Sequence, residues 1–256
     1  MRLDDGAETA IERWGDAGPL ILCVHGMTSS RLSWERTASH LAGRFRVVAY
    51  DQRGHGDSAR VTGPMSIARA VRDLENVVAG LGEPPFALLG HSWGGTVVIE
   101  GGRTVPADRV VAIDPALRQL SDAWYAEFLD ELAPLFALHG EARAAKVRED
   151  YAEWPEIDRE RKVHAVATMT AEPIARLRDE NPGETWNAFP ALADYPKPLL
   201  LAMADPENSI VASDDLVRVR DIGGAHVEIA VVPESDHNLH RTSFDRFTAI
   251  LDRFLA

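Results

Sequence analysis

Short, nearly unbroken apolar runs recur along the chain and alternate with longer stretches whose apolar residues fall three and four apart. The runs at 20–24 (LILCV), 45–50 (FRVVAY), 86–89 (FALL), 110–113 (VVAI), from 198 (PLLLAM) and at 227–232 (VEIAVV) predict buried strands. Helical spacing is plainest at 65–81, where Ile67, Val71, Leu74, Val77, Val78 and Leu81 share one face before Gly82 and Pro84-Pro85 stop the pattern. Helices are also expected at 33–41, from Thr96 onward, at 213–222 and at 243–254. This alternation predicts βαβ units and an α/β fold with a mainly parallel sheet. Loops at the carboxyl ends of such strands carry the site, and VHGMTSS, AYDQRGHGDS, LLGHSWGG and AIDPAL all leave strands at that end.

Between residues 117 and 189 the strand-like runs vanish, and the segment is helix-like, aromatic-dotted and acidic. We expect a helical insertion there, with Pro134 and Pro155 marking breaks, and a core formed by 1–116 and 190–256.

Composition narrows the picture. A chain of 256 residues holds one large α/β domain, or one with a modest insertion. The formal net charge of −13 argues against nucleic acid and anionic membrane surfaces as partners. Cys23 is the one cysteine and lies in an apolar run, as expected of a small buried hydrophobe in a reducing compartment. The first ten residues carry acids and no apolar core, and no apolar run approaches the ~18 residues of a membrane span, so a cytoplasmic protein is expected. No Cys/His metal spacing and no phosphate-cradling GxxxxGK occurs, so neither a metal nor a cofactor is expected. Oligomeric state stays open between monomer and homodimer.

One stretch demands a chemical reading. Gly90-His91-Ser92-Trp93-Gly94-Gly95 must turn a strand into a helix within a few residues, which forces strained angles and close chain approach on both sides of Ser92. A serine suits a helix cap, but a cap needs no flanking glycines. The G-x-S-x-G pattern, the HG after an earlier strand, DQRGHGDS and the late DHNLHR together resemble the α/β-hydrolase superfamily of serine hydrolases, over nearly the whole chain. The resemblance implies that fold, with residues 117–189 where the family inserts a cap.

It also implies roles. Ser92 is the expected nucleophile and His237, shortly after the last strand, the expected base; His240 is the nearby competitor, read as a surface or capping residue. The acid that orients the imidazole follows a strand in two places: the resemblance favours Asp205, and Asp114 is the alternative some relatives use. The backbone amides of Met27 and Trp93 are the expected oxyanion donors. His91, His25 and His55, with Asp51, Arg53, Gly54, Gly56 and Asp57, are expected to hold loops rather than do chemistry. Trp34, Trp93, Trp124, Tyr125, Phe128, Trp154 and Trp186 are candidates for an apolar pocket. The implied activity is cofactor-free cleavage of a small ester or lactone. Carbon–carbon bond hydrolysis, perhydrolysis and receptor-like ligand binding are the alternatives.

Overall fold

The computed structural model describes residues 1–58 and 62–256. Seven strands form one sheet: β1 (Ile11–Trp14), β2 (Leu20–Val24), β3 (Arg46–Tyr50), β4 (Ala87–His91), β5 (Arg109–Ile113), β6 (Leu199–Met203) and β7 (Val227–Val231). Their order is β1-β3-β2-β4-β5-β6-β7, with only β1 antiparallel. β2, β4 and β6 are buried at every position, which is why they read as continuous apolar runs rather than alternating ones. β1 escaped the sequence reading because this half-exposed edge strand carries Glu12 and Arg13.

Side chains alternate between the two sheet faces. Leu20, Leu22, Val24 and Leu88 join a core with α2 (Ile67–Leu81), α3 (Trp93–Gly101) and α9 (Ser213–Ile222). Ile21, Cys23, Ala87 and Leu89 join the opposite core with α1 (Glu35–Leu41) and α11 (Phe244–Leu255). Cys23 is fully buried there, and burial pushes its thiol pKa up, as fits an inert apolar filler. α2 starts where Ser66 Oγ accepts the Arg69 amide and ends at Gly82, whose φ of 77° is the left-handed stop. Among the described residues no helix is long and apolar enough to cross a membrane.

The segment between β5 and β6 is helical, with α4 (Asp122–Ala137), α5 (Gly140–Asp150), α6 (Glu156–Ala167), α7 (Glu172–Asp179) and α8 (Phe189–Ala193). Pro155 caps the start of α6, but Pro134 breaks nothing and sits inside α4. It lies in the exposed last turn of that helix, where losing one amide costs little. The Arg143 guanidinium ties the segment together. It donates to the carbonyls of Phe136 and Leu138 at the end of α4 and to those of Val166 and Met169 at the end of α6, satisfying acceptors that helix ends leave open. Bonds to the sheet domain run from Arg36 to Asp158 (3.3 Å), from Thr168 Oγ1 to the Gly56 carbonyl (3.1 Å), and from the Ile67 amide to Asn181 Oδ1 (2.7 Å).

Candidate active site

Ser92 stands between β4 and α3 with φ 55° and ψ −119°, a conformation that costs a non-glycine residue on the order of 1–3 kcal/mol. Its neighbours show what holds it there. The Ser92 amide donates to the Ile113 carbonyl (2.9 Å), and the Ser92 carbonyl accepts from the amides of Gly95, Thr96 and Ala116. A Cβ on Gly94 would lie 2.3 Å from the Val24 carbonyl oxygen, and one on Gly90 would lie 2.2 Å from that of Gly94. The glycines are therefore demanded by close approach of three chain segments. The Ser92 side chain makes no capping bond to α3, so the helix-cap role does not account for it.

The hydroxyl faces a cavity of about 140 Å³ that Ser92, His237, Gly26, Met27 and His91 line together. His237 sits between β7 and α10 (Leu239–Thr242), and its Nδ1 donates to Asp114 Oδ2 at 2.7 Å, which leaves Nε2 as the free ring nitrogen. Among the described residues no hydrogen bond joins the Ser92 hydroxyl to His237; the two residues line the same cavity. Such contacts tighten when substrate fills a site.

The carboxylate that His237 bonds is not the favoured Asp205 but the alternative, Asp114, one strand away. Asp205, after β6, does not bond to His237; its oxygens accept the amides of Glu207 (3.2 Å) and Glu234 (3.0 Å), so it shapes the loop that carries His237. Asp114, after β5, is fully buried and accepts from His237, Ser209 Oγ (2.6 Å) and the amides of Ala204 (3.1 Å) and Ile210 (3.2 Å). The β6–α9 loop thus wraps the Asp114 carboxylate instead of presenting its own. Asp114 has a φ of 38°, a strained value for a residue with a Cβ.

The amides of Met27 and Trp93 flank Ser92 on the β2 loop and at the first turn of α3, and neither donates to a protein acceptor among the described residues. The supporting loop is as expected in kind but adds a residue that the sequence did not single out. Gln52 Oε1 accepts from the Trp93 indole (3.0 Å), and the Gln52 amide donates to His25 Nε2 (3.0 Å). His55 Nε2 bonds to the Met27 carbonyl at 2.6 Å, and Asp51 accepts from the amides of Arg31 (2.7 Å) and Asp57 (2.8 Å). Arg53 donates twice to Asp73, at 2.6 and 2.8 Å.

His91 lines the cavity beside Ser92, and its Nε2 donates to the His237 carbonyl (2.9 Å). His240 is a correction: it is buried, not superficial, packed 4.3 Å from His91 and 5.6 Å from Trp34 between ring centroids. Burial drives the pKa values of His25, His91 and His240 well below the usual imidazole value, with neighbouring histidines and Arg241 adding to it for His91. These three stay neutral in the fold, whereas the unfolded chain takes up protons below about pH 6.5. Stability is therefore whole above that value and drains as pH falls through it. Asp158, whose carboxyl pKa burial raises, offsets part of this. Urea midpoints followed by tryptophan fluorescence should fall between pH 7.5 and 5.5, less so in His240→Phe; equal midpoints in the wild type would contradict the burial of neutral rings.

Trp124, Phe128, Trp154 and Trp186 line the cavity as expected, with Tyr151 in addition, while Trp34, Trp93 and Tyr125 pack elsewhere. Chemically, a serine and an imidazole braced by a buried carboxylate on one cavity can transfer a proton from the hydroxyl, and the undonated amides of Met27 and Trp93 lie on either side of that serine.

The model of the alpha/beta hydrolase family matches residues 21–250. The chain belongs to that family. It is 33% identical over 165 residues to lipase LipV of Mycobacterium tuberculosis, a match covering 61% of this chain and 62% of the lipase. It is 27% identical over 259 residues to 2-(acetamidomethylene)succinate hydrolase of Mesorhizobium japonicum, covering 94% of this chain and 90% of that protein. The crystal structure of E-2-(acetamidomethylene)succinate hydrolase superposes with a TM-score of 0.83 at 23% identity, covering all of this chain and 98% of the other, which is a likeness of fold. The alpha/beta hydrolase member described here thus has lipase- and hydrolase-named relatives.

Proposed function

We propose that the protein is a serine hydrolase that cleaves a small carboxylic ester or lactone through an acyl-enzyme on Ser92, with residues 117–189 acting as a cap over the site. His237 takes the Ser92 proton as the hydroxyl attacks the carbonyl, and Asp114 holds the imidazole in the tautomer that can accept it. The amides of Met27 and Trp93 take the negative charge of the tetrahedral intermediate. His237 then protonates the leaving alcohol, and water repeats the sequence to release the acid. The observation that carries this reading is the 2.7 Å bond from His237 Nδ1 to the buried Asp114, on the cavity that Ser92 also lines.

Stopped-flow hydrolysis of a short-chain 4-nitrophenyl ester tests it. A burst of about one nitrophenol per enzyme followed by steady turnover is expected. Release that stops after the burst, or no release from any ester or lactone in a panel of small substrates, would instead favour a ligand-binding protein on this scaffold.

A further inference from the structure

Two cations line the same cavity without a counter-ion. Lys162, on α6, donates from Nζ to the Thr28 carbonyl (2.8 Å) and to Thr28 Oγ1 (2.9 Å). Arg241, on α10, donates to Ser29 Oγ (3.1 Å) and lies over the Trp154 ring with 4.6 Å from its guanidinium carbon to the ring centre. Thr28 and Ser29 directly follow Met27, and all three line the cavity together with Ser92, Lys162 and Arg241. The two residues are only 5% and 4% exposed.

Lysine and arginine are almost never buried this completely unless paired. Here no carboxylate comes within 4.0 Å of either, among the described residues, and the cavity lining contains no aspartate or glutamate. The acids that act on Arg241 from a distance are already engaged: Asp158 pairs with Arg36 at 3.3 Å, and Asp236 Oδ1 accepts from the Asn238 amide and Thr242 Oγ1. Burial, with the charge of Arg241 second, pushes the Lys162 ammonium down to about 7, and burial lowers Arg241 as well. Two uncompensated positive groups inside a protein of net charge −13 form a local reversal of its field. Both would be relieved by one negative group in the cavity.

We propose that Lys162 and Arg241 form a carboxylate subsite, so that the substrate attacked by Ser92 is a small acyl compound carrying an ionised carboxylate of its own. This rests on the serine-hydrolase reading for the identity of the attacked group, but not for the binding of the anion. The Arg241 guanidinium balances the charge of one carboxylate, and the same carboxylate favours the charged form of Lys162 beside it. The cavity of about 140 Å³ sets the size, since an engineered cavity of comparable volume holds benzene. The aromatic walls, Trp124, Phe128 and Trp186, take the apolar remainder.

Benzoate and benzamide have nearly the same shape and differ in charge, which makes them the probes. Wild-type enzyme hydrolysing a neutral aryl ester at neutral pH should be inhibited competitively by benzoate at least about tenfold more tightly than by benzamide. The same preference should appear in Ser92→Ala protein when binding is followed by tryptophan fluorescence, a readout that needs no turnover. In Lys162→Met and in Arg241→Met the preference should shrink to less than about threefold, and Arg241→Lys should restore part of it. Equal binding of the two probes to Ser92→Ala protein would overturn the subsite and leave the nucleophile assignment standing. A preference that survives in both methionine variants would overturn the roles of Lys162 and Arg241. Tighter inhibition by phenyl phosphate than by benzoate would overturn the choice of carboxylate. If a methionine variant fails to fold, the two probes on wild-type and Ser92→Ala protein still decide the question.

Discussion

Asp114→Asn should lower kcat for an aryl ester by about 10⁴-fold, while Asp205→Asn should leave it within about threefold of wild type. The contrast follows from geometry. An asparagine at 114 turns an acceptor toward His237 only by turning its amide toward Ser209 Oγ and the Ala204 amide, and it supplies no charge to an imidazolium. The imidazole is then free to adopt the tautomer whose Nε2 already bears a proton and cannot take that of Ser92. The same clash among buried donors costs on the order of 1–3 kcal/mol of stability, so a thermal melt must accompany the kinetics. Asp205 touches no side chain of the site. Its substitution loosens the Glu234 amide at the base of the His237 loop, and that calls for a modest effect on KM or stability. Measuring both variants on one substrate separates the two acids, and equal losses would mean that the hydrogen bond at Asp114 does not carry the orientation.

Much of this arrangement was legible in the sequence because it is local. Ser92 sits in a turn whose glycines are dictated by neighbouring backbone, and the buried strands are unbroken apolar runs. The choice between Asp114 and Asp205 was not legible. Both follow strands that lie side by side in the sheet, and the outcome depends on the path of the loop at 204–210, which brings Ser209 and the Ile210 amide around Asp114. β1 failed to show because an edge strand needs only one apolar face, and α10 because four residues carry no period. Lys162 and Arg241 read as ordinary charged positions, one on a polar helix and one in DHNLHR. Their burial and their lack of an acidic partner arise only when α6 and α10 close over Thr28 and Ser29. His240 was misjudged for the same reason, since its burial comes from Trp34 and His91, which are remote in sequence.

Ser92→Ala should remove turnover almost entirely, with a loss in kcat on the order of 10⁶, because nucleophile and base act as a unit and neither works alone. The fold should hold. The hydroxyl makes no capping bond, and the backbone bonds that pin the turn, from Ser92 to Ile113, Gly95, Thr96 and Ala116, do not involve the side chain. Alanine accepts the positive φ of this position no worse than serine does. An unchanged urea midpoint with abolished turnover is therefore the expected pair of results, and retained turnover would take Ser92 out of the chemistry.

The most direct measurement is covalent labelling with a fluorophosphonate, which reacts with a serine only when a base and an oxyanion site activate it. One adduct per chain is expected, mapped by peptide mass spectrometry to Ser92, lost in Ser92→Ala and formed far more slowly in Asp114→Asn. An adduct on any other residue, or a folded wild-type protein that takes no label, would contradict the account.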